Sequence, residues 1–354
     1  MPSSSFRARA PFLSALSLAC VTSLAAVSCG QQGIVTSTGT NTADTGGTGG
    51  TGGTGGSGGT GAATTGTGGA EVAKPLKVLT WNLHNFYDKQ DDPAFDDDFA
   101  LSTTEYNQKM ADVGAILKEM DPDIAVLPEV ENQAILDELN AEQLGGAYTT
   151  AITLTNDFRG LDIGILTKLP VVDLVSHKDD SFKRLDLVGG QLYKYSRDAV
   201  ELHVMYNDRP IVLLGVHYRS KGDGSAETDD KDKRMAEAQH TRAIADELAK
   251  ENPKRAILIL GDFNDLPGSP PVSWTLQGDP KNDPKIPFSA ATDFVDAADK
   301  YTFVYNGVEE LIDHQMANPL LGPMLDKTAV VIRHGADVED ASDHYPLMAT
   351  YQIQ

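Results

Sequence analysis

Ile257-Leu258-Ile259-Leu260-Gly261-Asp262-Phe263-Asn264-Asp265 constrains this chain more than any other stretch. Four consecutive apolar β-formers read as a strand buried on both faces, not as one face of a half-exposed element. Gly261 ends the run, and a carboxylate and a carboxamide follow at i and i+2. Alternate residues of a strand share a side. Asp262 and Asn264 are therefore expected to leave a core strand pointing the same way. Core packing has no use for two polar side chains there; a metal or a phosphate does.

Other strands follow the same plan. Leu76 to Asn82 is an apolar run with a polar end, and Ile124-Ala125-Val126-Leu127 leads to Pro128-Glu129. Strand pairs are expected at Thr149 to Leu154 with Asp162 to Thr167, and at Val200 to Met205 with Ile211 to Val216, the latter closing on His217. Asn207-Asp208-Arg209-Pro210 is the turn of the second pair. Tyr301 to Tyr305, the Asn306-Gly307 turn and Leu311 to Ala317 read as a hairpin. Helical spacing marks Tyr106 to Glu119, Leu136 to Leu144 and about Asp232 to Lys250. The pattern is mixed α/β with many hairpins, unlike the regular βαβ alternation of a doubly wound sheet. Asn82, Glu129, His217, Asp262, Asn264, Asp313, Asp343 and His344 all stand at strand ends or just past them. They are expected to meet at one rim.

The chain has 354 residues. A folded unit of about 280 residues buries roughly three quarters of its unfolded surface and needs no staples. The two cysteines, Cys20 and Cys29, both precede that unit, so it forms no disulfide and has no Cys-His zinc spacing. Formal net charge is −22, and the first 28 residues carry two arginines and no acid, so the remainder is more acidic still. Such a surface opposes broad non-specific affinity for polyanions while allowing a local cleft that holds a divalent cation.

Residues 1–28 read as a signal peptide, with Arg7 and Arg9 before an apolar run from Phe12 to Val27 and small residues before Cys29. Cys29-Gly30 resembles a bacterial lipoprotein cleavage site, which makes Cys29 a lipidated N-terminus. Residues 29–73 are then the anchor cysteine and a Gly/Thr-rich flexible tether of roughly 35 Å root-mean-square span. The globular domain is expected over residues 74–354, as a monomer, exported to the cell envelope or beyond it.

Oxygen ligands without thiols suit a hard cation such as Mg²⁺, Mn²⁺ or Ca²⁺. Such an ion beside histidines fits hydrolysis of phosphate esters. Arg219 and Lys221 follow His217 closely and are candidates for phosphate contact. The acidic run Asp91 to Asp98 reads as a solvated loop, with an additional Ca²⁺ site as the alternative.

The ordered segments resemble the endonuclease/exonuclease/phosphatase superfamily. They are Thr80-Trp81-Asn82, Asp121-Pro122-Asp123-Ile124, Glu129-Val130-Glu131-Asn132, Arg159-Gly160-Leu161-Asp162-Ile163-Gly164, His217-Tyr218-Arg219-Ser220-Lys221-Gly222, Gly261-Asp262-Phe263-Asn264, Ile312-Asp313-His314 and Ser342-Asp343-His344-Tyr345-Pro346. The resemblance spans about residues 76–352 and implies a DNase I-like four-layer α-β-β-α sandwich with two mostly antiparallel sheets. It implies Glu129 as the principal metal ligand, helped by Asn82 and Asp343. Asp262 would orient or deprotonate the attacking water, and Asn264 would hold a phosphate oxygen. His344, steadied by Asp313, would bind phosphate and assist proton transfer; His217 would sit across the phosphate with Asp162 as its partner. Arg159 is a further phosphate candidate.

Pro128, where Gln is usual, and Val216, where Asn is frequent, depart from the family pattern. The His-Tyr-Arg-Ser-Lys-Gly segment resembles bacterial extracellular nucleases of this superfamily, so the expected substrate is a phosphodiester of DNA or RNA. A phosphatase or a sphingomyelinase-like lipid phosphodiesterase is the alternative: the acidic surface counts against nucleic acid, the anchor favours the sphingomyelinase-like member, and Asp265-Leu266-Pro267 after Asn264 counts against an inositol polyphosphate phosphatase. A non-enzymatic binding module on the same scaffold is the third reading. Trp81 and Phe263 are expected in the core, and His84, His203, His240 and His314 as surface or structural residues.

Overall fold

The computed structural model describes residues 36–37, 72–95, 99–221, 227–282 and 286–354. The signal peptide, Cys29 and nearly all of the tether lie outside the described residues, as do Asp96, Asp97 and Asp98 of the acidic run and Gly222.

In chain order the elements are β1 (Thr36–Ser37), β2 (Lys74–Thr80), α1 (Thr103–Met120), β3 (Ile124–Val130), α2 (Gln133–Glu138), β4 (Thr149–Thr153), β5 (Asp162–Thr167), β6 (Val171–Ser176), β7 (Ala199–Tyr206), β8 (Arg209–His217) and α3 (Glu227–Glu251). They continue with β9 (Ala256–Asp262), α4 (Pro270–Gln277), β10 (Ser289–Ala290), β11 (Phe303–Tyr305), β12 (Val308–Glu310), β13 (Asp313–Ala317), β14 (Leu325–Ile332), α5 (Ala336–Ala341) and β15 (Leu347–Ile353). Among the described residues one sheet runs β1-β4-β5-β3-β2-β15-β14 and a second runs β10-β13-β9-β8-β7-β6. Each holds a single parallel pair, β2 with β3 and β8 with β9, and the rest are antiparallel. A helix bridges each parallel pair, as a parallel crossover requires. Two residues of the expected tether, Thr36 and Ser37, form β1 against β4.

The layers follow from strand alternation. In β9, Leu258 and Leu260 face the space between the sheets, with Val78, Val126 and Leu213. Ile257 and Ile259 face outward onto Ala236 and Ala245 of α3 and Val272 of α4. In β3, Ile124 and Val126 turn inward, while Ala125 and Leu127 meet Val113 and Leu117 of α1. Both strands are buried throughout, so their sequences carry no polar alternation. The result is the expected α-β-β-α sandwich.

Local corrections are physical. Arg209 and Pro210 lie inside β8, and the turn is only Asn207-Asp208, both at positive φ. Leu311 to Ala317 does not complete the Asn306-Gly307 hairpin. A two-residue turn pairs its immediate neighbours, so Val308–Glu310 pairs with Phe303–Tyr305, and Asp313–Ala317 joins β9 in the second sheet. Gly261 does not end its strand; it is the residue before the last of β9. Its φ is +138°, and a side chain there would place Cβ 1.9 Å from the Val216 carbonyl oxygen. Glycine alone lets β8 and β9 close together just before their polar ends.

Candidate active site

That closure sets His217 and Asp262, the last residues of two parallel strands, side by side in register. Antiparallel β13 brings its first residue, Asp313, opposite Asp262. Asn82 follows β2, and Ser342-Asp343-His344 precedes β15, the antiparallel neighbour of β2. The expected rim therefore exists. Asn82, Glu129, Arg159, His217, Arg219, Asp262, Asn264, Asp343 and His344 line one pocket of about 400 Å³.

Glu129 gets there through a bulge between Pro128 and Val130, with φ at +66°. A bulge re-aims a side chain, and a non-glycine residue in the left-handed region is a strain the surroundings must hold. Here Asn85 N–H donates to Oε2 at 3.0 Å and Arg159 Nη2 to Oε1 at 3.2 Å. Pro128 has no N–H to lose at such a break, and its carbonyl still accepts from Leu83 at 2.9 Å. Burial works against ionisation of Glu129. His217, Arg159 and Arg197 outweigh it and hold the carboxyl at about 2, so Glu129 is charged at neutral pH.

Asp262 is buried at the centre. Its Oδ2 accepts from Asn82 Nδ2 at 3.0 Å and Asn264 Nδ2 at 3.2 Å, and its Oδ1 accepts from Asn264 N–H at 2.7 Å. Asn264 adopts φ +52°, a conformation Asn tolerates. The i, i+2 expectation holds: both side chains reach the pocket. Burial, then the charge of Asp313, raises the proton affinity of Asp262 above that of an ordinary aspartate. His217 Nε2 stands 3.5 Å from Asp262 Oδ2 and 3.7 Å from Glu129 Oε1. Burial first, and Arg197 next, push its pKa well below the usual histidine range. His217 therefore gives up its proton more readily than an ordinary histidine, although Glu129 beside it pulls the other way.

His344 is the opposite case. Its Nδ1 meets Asp313 Oδ2 at 2.8 Å, and Trp81 Nε1 donates to its carbonyl at 2.8 Å. Burial lowers its pKa, but Asp313 and then Asp262 outweigh that and push it up to about 10. Its Nε2, 3.9 Å from both Asp262 and Asp343, faces the pocket as a protonated donor.

Glu129, Asp343 and Asn82 offer two carboxylates and a carboxamide to one pocket, a hard-oxygen set that fits Mg²⁺ or Mn²⁺. Asp262, Asp313 and His344 also bring ligand atoms within 4.8 Å of one another. The third of these already binds the second through Nδ1, which leaves that trio the less open of the two groups that could hold a cation. His84 is not a bystander: its Nδ1 lies 2.6 Å from Asp343 Oδ1 at the pocket wall.

Asp162 does not reach His217. The loop before β5 folds back on it, so its Oδ1 accepts the Thr155 N–H at 2.7 Å, and burial raises its pKa to about 7. It is not among the pocket residues. Arg219 lines the pocket while donating from Nε to Asp230 at 2.6 Å. Lys221 sits outside, 2.8 Å from Glu310, in an adjoining groove of about 1020 Å³ that shares Ser220, Asn264, Phe303 and Ile312 with the pocket.

Arg197 and Asp157 were not anticipated either. Arg197 lines the pocket, and the buried Asp157 binds both Arg159 and Arg197. The available signal was the polar Ser196-Arg197-Asp198 run just before an apolar strand whose antiparallel partner ends in His217. His314 is buried and bonds the Asp265 carbonyl at 3.0 Å, a structural role.

The profile of the endonuclease/exonuclease/phosphatase family matches residues 77–348. Among solved structures, an endonuclease/exonuclease/phosphatase from Bacteroides vulgatus is 16% identical, with 79% of this chain and 100% of that one covered at a TM-score of 0.54. TDP2 from C. elegans is 19% identical, with 80% and 78% covered and a TM-score of 0.53. The human Nocturnin catalytic domain, solved with a bound sulfate anion, is 12% identical, with 80% and 97% covered and a TM-score of 0.52. At such identities the likeness concerns the fold. No curated protein matches the chain. The profile match extends from the second strand to the last, through every motif that lines the pocket, and the chain belongs to the endonuclease/exonuclease/phosphatase family.

Proposed function

We propose that the protein is a divalent-metal-dependent phosphodiesterase that cleaves DNA or RNA. One observation carries this reading: a buried Asp262 of raised proton affinity lies between Asn264, His217 and His344, beside the hard-oxygen set of Glu129, Asn82 and Asp343. A metal held by Glu129, Asn82 and Asp343 would supply neutralisation of the charge on the phosphoryl and leaving-group oxygens. Asp262 accepts a proton as water attacks phosphorus. Asn264 donates to a phosphoryl oxygen, and His344, kept protonated by Asp313, donates to another. The groove continuing past Asn264 leaves room for a polymer beyond the scissile bond.

The net charge of −22 favours a second reading, a lipid or small phosphodiester in place of a polyanion. The test is the purified protein with Mg²⁺ or Mn²⁺ against plasmid DNA, RNA, inositol phosphates and sphingomyelin. We expect cleavage of nucleic acid, abolished by EDTA and restored by added metal. Cleavage of lipid alone moves the protein to the second reading, and no cleavage of any substrate removes both. The export signal and lipid on Cys29 belong to the same proposal and place the enzyme at the cell envelope. Mass spectrometry of the mature N-terminus tests this, and an unmodified residue there would refute it.

A further inference from the structure

Between β6 and β7 the chain makes an excursion that supplies no residue to the pocket. Phe182 and Tyr193 close its base as an antiparallel bridge, with N–H to carbonyl bonds of 3.0 and 2.8 Å in the two directions. That base is fixed. The Phe182 ring stacks on His240 of α3 with centroids 4.4 Å apart, and the Leu185 N–H donates to Gln239 Oε1 at 2.7 Å. Past Asp186 the chain stands out into solvent. Leu187 is 49% exposed, Leu192 is 58% exposed, and Val188 is fully exposed. Gly189 and Gly190 turn the tip back at φ +82° and +105°, and a Cβ added at either would meet nothing within 4 Å.

One exposed leucine needs no account, but a cluster of aliphatic side chains on one protruding tip does. Among residues 185–192 the polar side chains are Asp186 and Gln191, and Asp186 accepts from Arg184 Nε at 3.0 Å. Exposed Lys183 and Lys194 flank the Phe182–Tyr193 bridge, one on each leg. An aliphatic tip with lysines at its base matches the order of groups at a bilayer surface, acyl chains inside and phosphate headgroups outside. The net charge of −22 opposes general attraction to anionic lipid, so such a contact has to be local.

The N-terminal strand points to the same side. β1 is antiparallel to β4, with Thr36 opposite Ala151 and Ser37 opposite Thr150, so the chain enters β1 from the Thr153 end of β4. The loop after Thr153 touches both legs of the excursion, because Asn156 Nδ2 donates to the Lys178 carbonyl at 2.7 Å and to the Tyr195 carbonyl at 3.1 Å. Cys29 stands seven residues before Thr36, and seven extended residues span at most about 25 Å. A lipid on Cys29 would therefore keep a bilayer within reach of this end of the domain.

We propose that the tip formed by Leu187, Val188 and Leu192 inserts into the bilayer interface beside the anchor, with Lys183 and Lys194 at headgroup level. The inference rests on the lipid-anchor part of the proposed function and is independent of which phosphodiester the pocket cleaves. Anchor and tip together fix how the domain faces the membrane, which a tether alone does not.

The probe is the mature full-length protein mixed with vesicles of three parts phosphatidylethanolamine to one part phosphatidylglycerol. Val188→Cys carries a nitrobenzoxadiazole fluorophore, and flotation shows whether the protein is on the vesicles. Emission should shift to the blue and be quenched by lipid spin-labelled near the headgroup. Leu187→Asp in the labelled protein should lose most of that shift. The same fluorophore on Asp208→Cys, in the exposed turn at the other end of β7, should keep its aqueous emission. Vesicle-bound, acylated protein whose Val188 label stays aqueous overturns this proposal and leaves the anchor standing. A blue shift at Val188 in protein that carries no lipid sinks the anchor alone. Protein that carries no lipid and does not float with vesicles sinks both.

Discussion

Nδ1 of His344 lies 2.8 Å from Oδ2 of Asp313, and both side chains are buried. The bond fixes which ring nitrogen faces Asp313 and leaves Nε2 for the pocket. It also holds the imidazole charged, with the pKa pushed up to about 10 against the opposing effect of burial. A raised histidine pKa adds stability that is whole below the unfolded value of about 6.5 and is lost as pH rises toward the folded one. Asp313→Ala removes the strongest cationic support. We expect kcat to fall by at least about 10²-fold and the alkaline limb of the rate profile to move to lower pH. An alkaline limb that stays in place in kcat measured against pH would show that another group holds the proton.

Asp262 is expected to act as the base because its carboxylate is oriented by three donor contacts and its proton affinity is raised by burial and Asp313. Asp262→Asn keeps the size and an oxygen acceptor for Asn264 N–H but cannot take a proton. Turnover should drop by at least about 10²-fold, with an unchanged circular dichroism spectrum and melting temperature. Turnover near wild type in a well-folded variant would assign the base elsewhere.

Lys109 of α1 is half-buried against the segments that carry Asn82 and Asp343. Its Nζ donates to the carbonyls of Leu83, at 2.6 Å, His84 and Ala341. These carbonyls lie within two residues of Asn82 or Asp343. Burial pushes the lysine pKa down to about 8, against the pull of Asp343 and Glu129. Lys109→Met removes the donor and leaves three carbonyls to splay. The Mg²⁺ concentration for half-maximal activity should rise about 10-fold or more, the range for residues supporting metal ligands. A Mg²⁺ titration matching wild type would deny Lys109 this positioning role.

Local pattern made part of this molecule legible. Four apolar residues before Gly261 meant a doubly buried strand, and β9 is one. The apolar spacing of Met110, Val113, Ile116, Leu117 and Met120 gave α1, whose start the Ser102–Glu105 capping box fixes. The carboxylate and imidazole set was legible because each member ends or adjoins a strand. Legibility failed where meaning depends on contact between remote loops. Arg197 and Asp157 look like ordinary charges until the two sheets bring their loops together. Asp162 carried a family expectation, but the local β4–β5 loop claims its carboxylate through Thr155, seven residues earlier. The Val308–Glu310 strand is half-exposed or more and carries no buried stripe, so apolar pattern pointed past it to Leu311 onward.

Far from the pocket, two carboxylates link three histidines between β6, β7 and α3. His177 Nδ1 meets Asp180 at 2.9 Å and its Nε2 meets Glu201 at 3.0 Å; His203 also bonds Glu201, and His240 bonds Asp180 at 3.1 Å. Burial lowers the His177 pKa, but the hydrogen bonds to Glu201 and Asp180 together outweigh it, and the pKa ends above its ordinary value. Glu201 is held at about 2 by His177 and His203 against its own burial. The Asp180 end is 43% exposed, so solvent screens its share. His240 behaves oppositely, since its burial outweighs Asp180 and lowers its pKa. The sign for His177 is that of a raised histidine: its pairing stabilises the fold fully below about pH 6.5 and fades as pH rises through its folded pKa. His177→Gln should therefore lose most stability relative to wild type near pH 5.5 and least near pH 9, read as the difference in urea midpoints across that range. A difference that does not change with pH would mean His177 contributes by packing, with no part played by its charge.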